Sequence, residues 1–213
     1  MPPLDITQER HALHSKLSGR ARLRALALAV SATALTLVLG ASGIAGAAVA
    51  PTGTTQTITM ELVKGKLKFV GPETVTAGDS LEILNKTNPK QVGPHTFSLA
   101  TKGSLPKTRK AMNSCFSPKK ICLAIAKWHG FNPKTERITV NLVKAGPAGW
   151  STMGDATGKK GDSWFTGEKK SGTHVTQQVT AEAGTTLHFI CAVHPEMQGE
   201  VDVVAPVVPA PTS

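Results

Sequence analysis

Tyrosine is absent from these 213 residues, and Phe and Trp together supply only 4% of them. Surfaces that bind nucleic acid by stacking bases interleave aromatics with their cations. The lysine pairs here, Lys119/Lys120, Lys159/Lys160 and Lys169/Lys170, stand mostly among Gly, Thr and Ser instead. They read as a solvated surface with no nucleic-acid footprint. Cysteine is scarce too, at three, so the chain is not a disulfide-dense miniature. Acidic residues number 14 against 24 basic ones, but the charged fraction is only 18% and the apolar fraction 40%. That balance is too apolar and too weakly charged for a disordered chain. No repeat with a period of tens of residues is visible, and neither G-x-S-x-G nor H-E-x-x-H occurs, so no nucleophile-base-acid layout announces an enzyme.

The front of the chain is built differently from the rest. Residues 1–24 carry Arg10, Lys16, Arg20, Arg22 and Arg24, and residues 25–50 hold no charge at all. A basic segment followed by an apolar one, with Ala45-Gly46-Ala47 offering small residues for cleavage, predicts an export signal over 1–47. The alternative is an uncleaved anchor, since a span needs about 20 apolar residues, although the Ala and Gly content weakens that reading. Beyond the signal, 19 basic residues face 12 acidic ones. An acidic protein partner or an anionic membrane surface fits that surplus, and neither is demanded by it.

What the whole chain has in quantity is 20 glycines, 14 prolines and runs of Thr and Val, a composition of strands and turns. Residues 57–62 alternate, with Ile58, Met60 and Leu62 on one face and Thr57, Thr59 and Glu61 on the other. Further strands are predicted over 66–70, 80–84, 95–100, 137–143, 173–180, 185–191 and 199–204. Seven or eight short strands in about 165 residues predict an all-β antiparallel sandwich or barrel over 48–205, with a Pro-rich tail over 206–213. One segment breaks the pattern. Residues 117–130 predict a short helix with Ser117 as N-cap, Pro118 in its first turn and Gly130 just past its end. Together with the preceding basic run it makes an insertion at about 101–136. The Gly-rich connection over 146–161 is expected on the surface.

Three cysteines cannot all pair within one chain. Cys115 and Cys122 flank the start of the inserted helix, and a disulfide between them fits an oxidising compartment. Cys191 is then the odd thiol, and burial or ligation would protect it. It opens Cys191-Ala192-Val193-His194-Pro195-Glu196-Met197, a C-x2-H-x2-M loop at the end of a predicted strand, while Pro94-His95 opens an earlier one. A thiolate, two imidazoles and a thioether form a soft donor set that selects copper over hard cations, and a zinc site would prefer further Cys or His to Met197. His129, His174 and His188 carry no such signal, and His188 is out of phase with Leu187, Phe189 and Cys191, so a strand points it away from the metal side.

These residues resemble the cupredoxins, the family of small blue-copper proteins that includes plastocyanin and amicyanin, the short loop being most like amicyanin's. Leu81-Glu82-Ile83-Leu84-Asn85 before the first ligand and Gly199-Glu200-Val201-Asp202-Val203 after the last extend the likeness; the insertion and the long gap from Asn85 to His95 do not belong to it. The resemblance implies a Greek-key sandwich holding one type 1 copper on His95, Cys191, His194 and Met197. It further implies a one-electron carrier with a redox protein partner, the ring edge of His194 being the electron port within a patch matched here by Pro94, Val193 and Pro195. Copper storage or delivery with the same ligands is the alternative, which the lack of a Met- and His-rich tract disfavours.

Overall fold

The computed structural model of the chain describes residues 53–135, 137–138, 149–167 and 172–207. The export signal predicted over 1–47, the rest of the predicted 137–143 strand and most of the predicted Pro-rich tail lie outside the described residues. In the domain, β1 (Thr55–Val63), β2 (Lys66–Val70), β4 (Ser80–Asn85) and β9 (His174–Gln178) form one sheet in the order β2-β1-β4-β9. A second sheet orders β3 (Thr74–Thr76), β11 (Gln198–Val204), β10 (Thr186–Ile190), β5 (Thr96–Leu99) and β8 (Ser163–Phe165) as β3-β11-β10-β5-β8. Two further short strands, β6 (Phe131–Asn132) and β7 (Arg137–Ile138), pair with each other.

Alternation in the sequence becomes sidedness here. Ile58 and Met60 of β1, Leu81 and Ile83 of β4, Leu187 and Phe189 of β10 and Val201 and Val203 of β11 all enter one buried cluster. Each such side chain removed from water contributes roughly 1.5 to 3 kcal/mol. Strands that follow one another in sequence repeatedly change sheets, as β3 to β4 does through the Gly78 turn (φ 88°), which gives a Greek-key sandwich. Most pairings are antiparallel, but β1 pairs with β4 and β3 with β11 in parallel. A two-residue turn joins β1 to β2, where Lys64 and Gly65 both have positive φ (50° and 75°). That left-handed pair matches the twist of the hairpin.

The connection expected on the surface is partly core. Trp150 is fully buried, donates its indole N–H to the Leu81 carbonyl at 3.0 Å and stacks edgewise on Phe97. Gly154 bridges to Ala100, and a Cβ there would come within 2.3 Å of both Gly161 N and the Trp128 ring.

In the insertion, α2 (Arg109–Asn113) is capped by Thr108, and the first turn of α3 (Ile121–Trp128) is tied back by the Cys115–Cys122 disulfide. The N-cap of α3 is Lys120, not Ser117. Ser117 to Lys120 instead form a turn in which Lys119 is left-handed (φ 62°), with the Lys120 amide donating to the Ser117 carbonyl at 3.2 Å. Gly130 (φ 88°) ends the helix as expected. Cys122, Ile125 and Trp128 pack with Ile190 and Ala192, so the insertion covers the face of β10 opposite the main core. This accounts for the unbroken apolar run from Phe189 to Ala192. No helix among the described residues is long and apolar enough to cross a membrane.

Candidate metal centre

Three predicted donors converge at one end of the sandwich. His95 immediately precedes β5 and Cys191 immediately follows β10, adjacent antiparallel strands in which Phe189 faces Leu99 and Ile190 faces Ser98. Both histidines turn Nδ1 toward the Cys191 sulfur at 3.7 Å. One donor atom from each of His95, Cys191 and His194 lies within 4.8 Å of the others. Met197 ends the loop, buried to 1% exposure. Its carbonyl accepts from the Cys191 amide at 2.9 Å and its amide donates to the His194 carbonyl at 2.8 Å, so the seven-residue loop is closed upon itself.

The backbone is arranged for a sulfur carrying negative charge. The Thr96 amide donates to Cys191 Sγ at 3.4 Å, and the Val193 and His194 amides also hydrogen-bond to that sulfur. Without a metal, burial outweighs these donors and pushes the thiol up to about 11. Burial, with the neighbouring His194 second, lowers His95 to about 4, and burial lowers His194 against the opposing pull of Glu196 and the Val92 backbone. Both imidazoles are therefore neutral at pH 7, as metal ligands must be.

The gap from Asn85 to His95, too long for the resemblance, has its own structure. It holds α1 (Pro89–Val92), whose start is capped by Asn88. Thr87 donates to Asn85 Oδ1 at 2.7 Å, leaving its oxygen to accept His95 Nε2–H at 2.9 Å. This fixes the tautomer with the lone pair on Nδ1, facing Cys191. Thr166 holds the other side of His95, accepting from its amide at 2.9 Å. Val92, at the end of α1, is the backbone partner of His194. Thr87, Thr96 and Thr166 carry no motif, and Thr166, 71 residues from His95, is brought to the site by topology alone.

The residues fit a soft metal. Two neutral imidazoles present lone pairs to the same buried sulfur, that sulfur accepts peptide N–H groups suited to a thiolate, and a buried thioether residue closes the loop. Glu196, the carboxylate whose charge reaches His194 and Cys191, is exposed and is not among the converging donors His95, Cys191 and His194, so the donor set does not favour a hard cation. Pro94, Val193, His194 and Pro195 are all half-buried, and Glu196 beside them is exposed. His188 turns away as expected, pairing with Glu200 at 3.0 Å. His174 is exposed on β9. His129, expected to be bland, is buried at 4% exposure against Ser163.

No protein-family profile and no curated protein matches the chain. Among solved structures it is similar to reduced auracyanin from the photosynthetic bacterium Roseiflexus castenholzii, at 18% identity and a TM-score of 0.33, over 71% of this chain and 97% of that one. It is also similar to auracyanin A, a blue copper protein of Chloroflexus aurantiacus, at 17% identity and a TM-score of 0.31, over 72% and 98%. The chain is thus a Greek-key sandwich in which the histidine just before β5 and the loop between β10 and β11 bring His95, Cys191 and His194 together.

Proposed function

We propose that the chain is an exported one-electron carrier holding one type 1 copper on His95, Cys191 and His194, with Met197 as the weak axial ligand. The observation that carries this reading is the convergence of both Nδ1 atoms on the buried Cys191 sulfur. Bound copper supplies a one-electron couple between Cu(II) and Cu(I), tuned by the thiolate and the axial donor. The protein's part is to hold the ligands still. His95 is locked by Thr87 and Thr166, the Cys191 sulfur by three peptide N–H groups, and the loop by its own backbone bonds.

His194 is the half-buried imidazole of the pair, and its rim of Pro94, Val193 and Pro195 suits close approach of a partner. We read the chain as a carrier and not an enzyme, because three strong donors and a thioether leave no position for a substrate. A groove of about 700 Å³ is lined by Val92 and Glu196, which both act on His194, and by Leu62, Lys66, Lys68 and Arg109. Three cations against one carboxylate suit an acidic redox partner, whose approach they would steer. Export, to the periplasm, the cell surface or the medium, is supported by the basic and then uncharged leader and by the Cys115–Cys122 disulfide.

The test is copper titration of the purified protein followed by reduction and re-oxidation with redox proteins. A carrier takes up one equivalent and exchanges one electron reversibly; a storage or delivery protein binds copper and surrenders it to a chelating partner without exchange. Cys191→Ser is expected to remove the intense visible absorption while leaving the sandwich folded.

A further inference from the structure

The insertion lies outside the donor set, yet a buried row of hydroxyls runs from it to the metal loop. His129 Nε2 is 2.8 Å from Ser163 Oγ, which is 2.6 Å from Ser98 Oγ, which is 3.0 Å from Thr96 Oγ1. The Ala192 amide donates to that same Thr96 oxygen at 2.8 Å. All four side chains are at most 4% exposed: His129 4%, Thr96 3%, Ser98 and Ser163 0%. Ser98 and Ser163 are direct cross-strand partners on β5 and β8, and His129 caps the C-terminus of α3.

The bonding has one consistent direction. Ser98 donates to Thr96, so its oxygen accepts from Ser163, and the Ser163 oxygen in turn accepts His129 Nε2–H. Buried hydroxyls left unpaired are costly, so each member holds the next in a single rotamer. Thr96 is where the row meets the centre. Its hydroxyl takes the N–H of Ala192, next to Cys191, and its own N–H goes to the Cys191 sulfur. From the apolar side, Cys122, Ile125 and Trp128 press on Ile190 and Ala192. One helix thus grips the strand end bearing Cys191 through both its polar and its apolar neighbours.

We propose that His129 is a positioning residue for the metal centre: through Ser163, Ser98 and Thr96 it fixes the peptide groups around Cys191, so the insertion is part of the support of the copper loop. The inference rests on the copper reading for its spectroscopic consequence but not for the row itself, and the test separates the two. His129→Phe keeps a ring without the donor, Ser98→Ala cuts the row at its middle, and His129→Gln retains an N–H donor. In the metal-free proteins, amide hydrogen exchange at Ala192 is expected to quicken about tenfold in His129→Phe and in Ser98→Ala, the scale of one lost buried hydrogen bond. Amides of β1 and β4 keep their rates, and His129→Gln recovers part of the protection.

In the copper-loaded variants the intensity ratio of the thiolate-to-copper bands shifts, because the N–H bond to the sulfur has moved. The double variant His129→Phe/Ser98→Ala is no worse than either single change, since both interrupt one row. If His129→Phe does not fold, Ser98→Ala, the smaller change, decides the matter. Unchanged Ala192 exchange in a folded Ser98→Ala protein overturns the proposal. Faster exchange in a protein that takes up no copper even as wild type upholds the row and overturns the copper reading instead.

Discussion

His95 and His194 offer the same atom to the same sulfur at the same 3.7 Å, yet one side chain is sealed and the other half-exposed. His95 is fixed at Nε2 by Thr87 and at its backbone by Thr166. His194 rests on the Val92 backbone beside the exposed Glu196. Depth separates two duties that one donor type could otherwise share. The buried imidazole is held between strands in a fixed frame, and the outer one is the ring that, in the proposed carrier, would meet a docking partner.

Removing each ring in turn breaks this comparison most forcefully. His95→Ala is expected to abolish copper binding and to destabilise the metal-free protein by roughly 2 to 4 kcal/mol, the scale of a cavity plus a stranded buried hydroxyl. Denaturant unfolding measures it. His194→Gly is expected to cost less than about 1 kcal/mol in stability and to recover its spectrum when free imidazole is added, since the opening faces solvent. Equal stability losses, or rescue of both variants by imidazole, would erase the distinction.

Acidity separates the donors next. With Cys191 held near 11 and both imidazoles already neutral at pH 7, copper binding should release one proton, from the thiol. Affinity therefore rises about tenfold per pH unit around neutrality, as titration in buffers of different ionisation enthalpy can count. For the metal-free fold the signs follow from the same shifts. A histidine lowered from 6.5 to about 4 makes the unfolded state the stronger proton binder between those values, so stability falls as pH drops through that window. A cysteine raised from 9.0 to about 11 makes the folded state the stronger binder, so stability falls again as pH rises from 9.0 toward 11. Stability measured against pH should show a plateau between the two.

Met197→Gln sharpens the axial half of the account. An oxygen donor in place of the thioether favours Cu(II), so copper stays bound and the reduction potential falls. Voltammetry that finds no change would remove Met197 from the ligands. The smallest effect is expected at the rim. Reversing charge at Lys66, Lys68 and Arg109 should slow electron exchange with an acidic partner several-fold at low salt, converge with wild type as salt screens the field, and leave the spectrum unaltered.

Much of this was legible because it is local. Alternation in β1, β4, β10 and β11 reports which face is buried, and Cys191, His194 and Met197 are spelled out within seven residues. What stayed hidden is long-range or short. Thr166 lies 71 residues from His95, and Ser163 lies 65 from Ser98 and 34 from His129, so no window contains them together. The three-residue strands β3 and β8 are too brief to show a period, and β8 is buried at every position. Trp150 sits among Gly and short polar residues, whose composition pointed to solvent while a single bridge to Val179 drew the ring inward. The start of α3 misled for a similar reason. Ser-Pro is a good opening for a helix, but the turn closed by Ser117 and Lys120 spent it one step early.

The measurement closest to the central claim is the visible spectrum of the purified protein during titration with Cu(II). The account predicts that one equivalent produces an intense thiolate-to-copper charge-transfer band, that reductant bleaches it and oxidant restores it, and that Cys191→Ser lacks it. Saturation with only the weak absorption of copper bound by nitrogen and oxygen, or an intense band that survives Cys191→Ser, would contradict it.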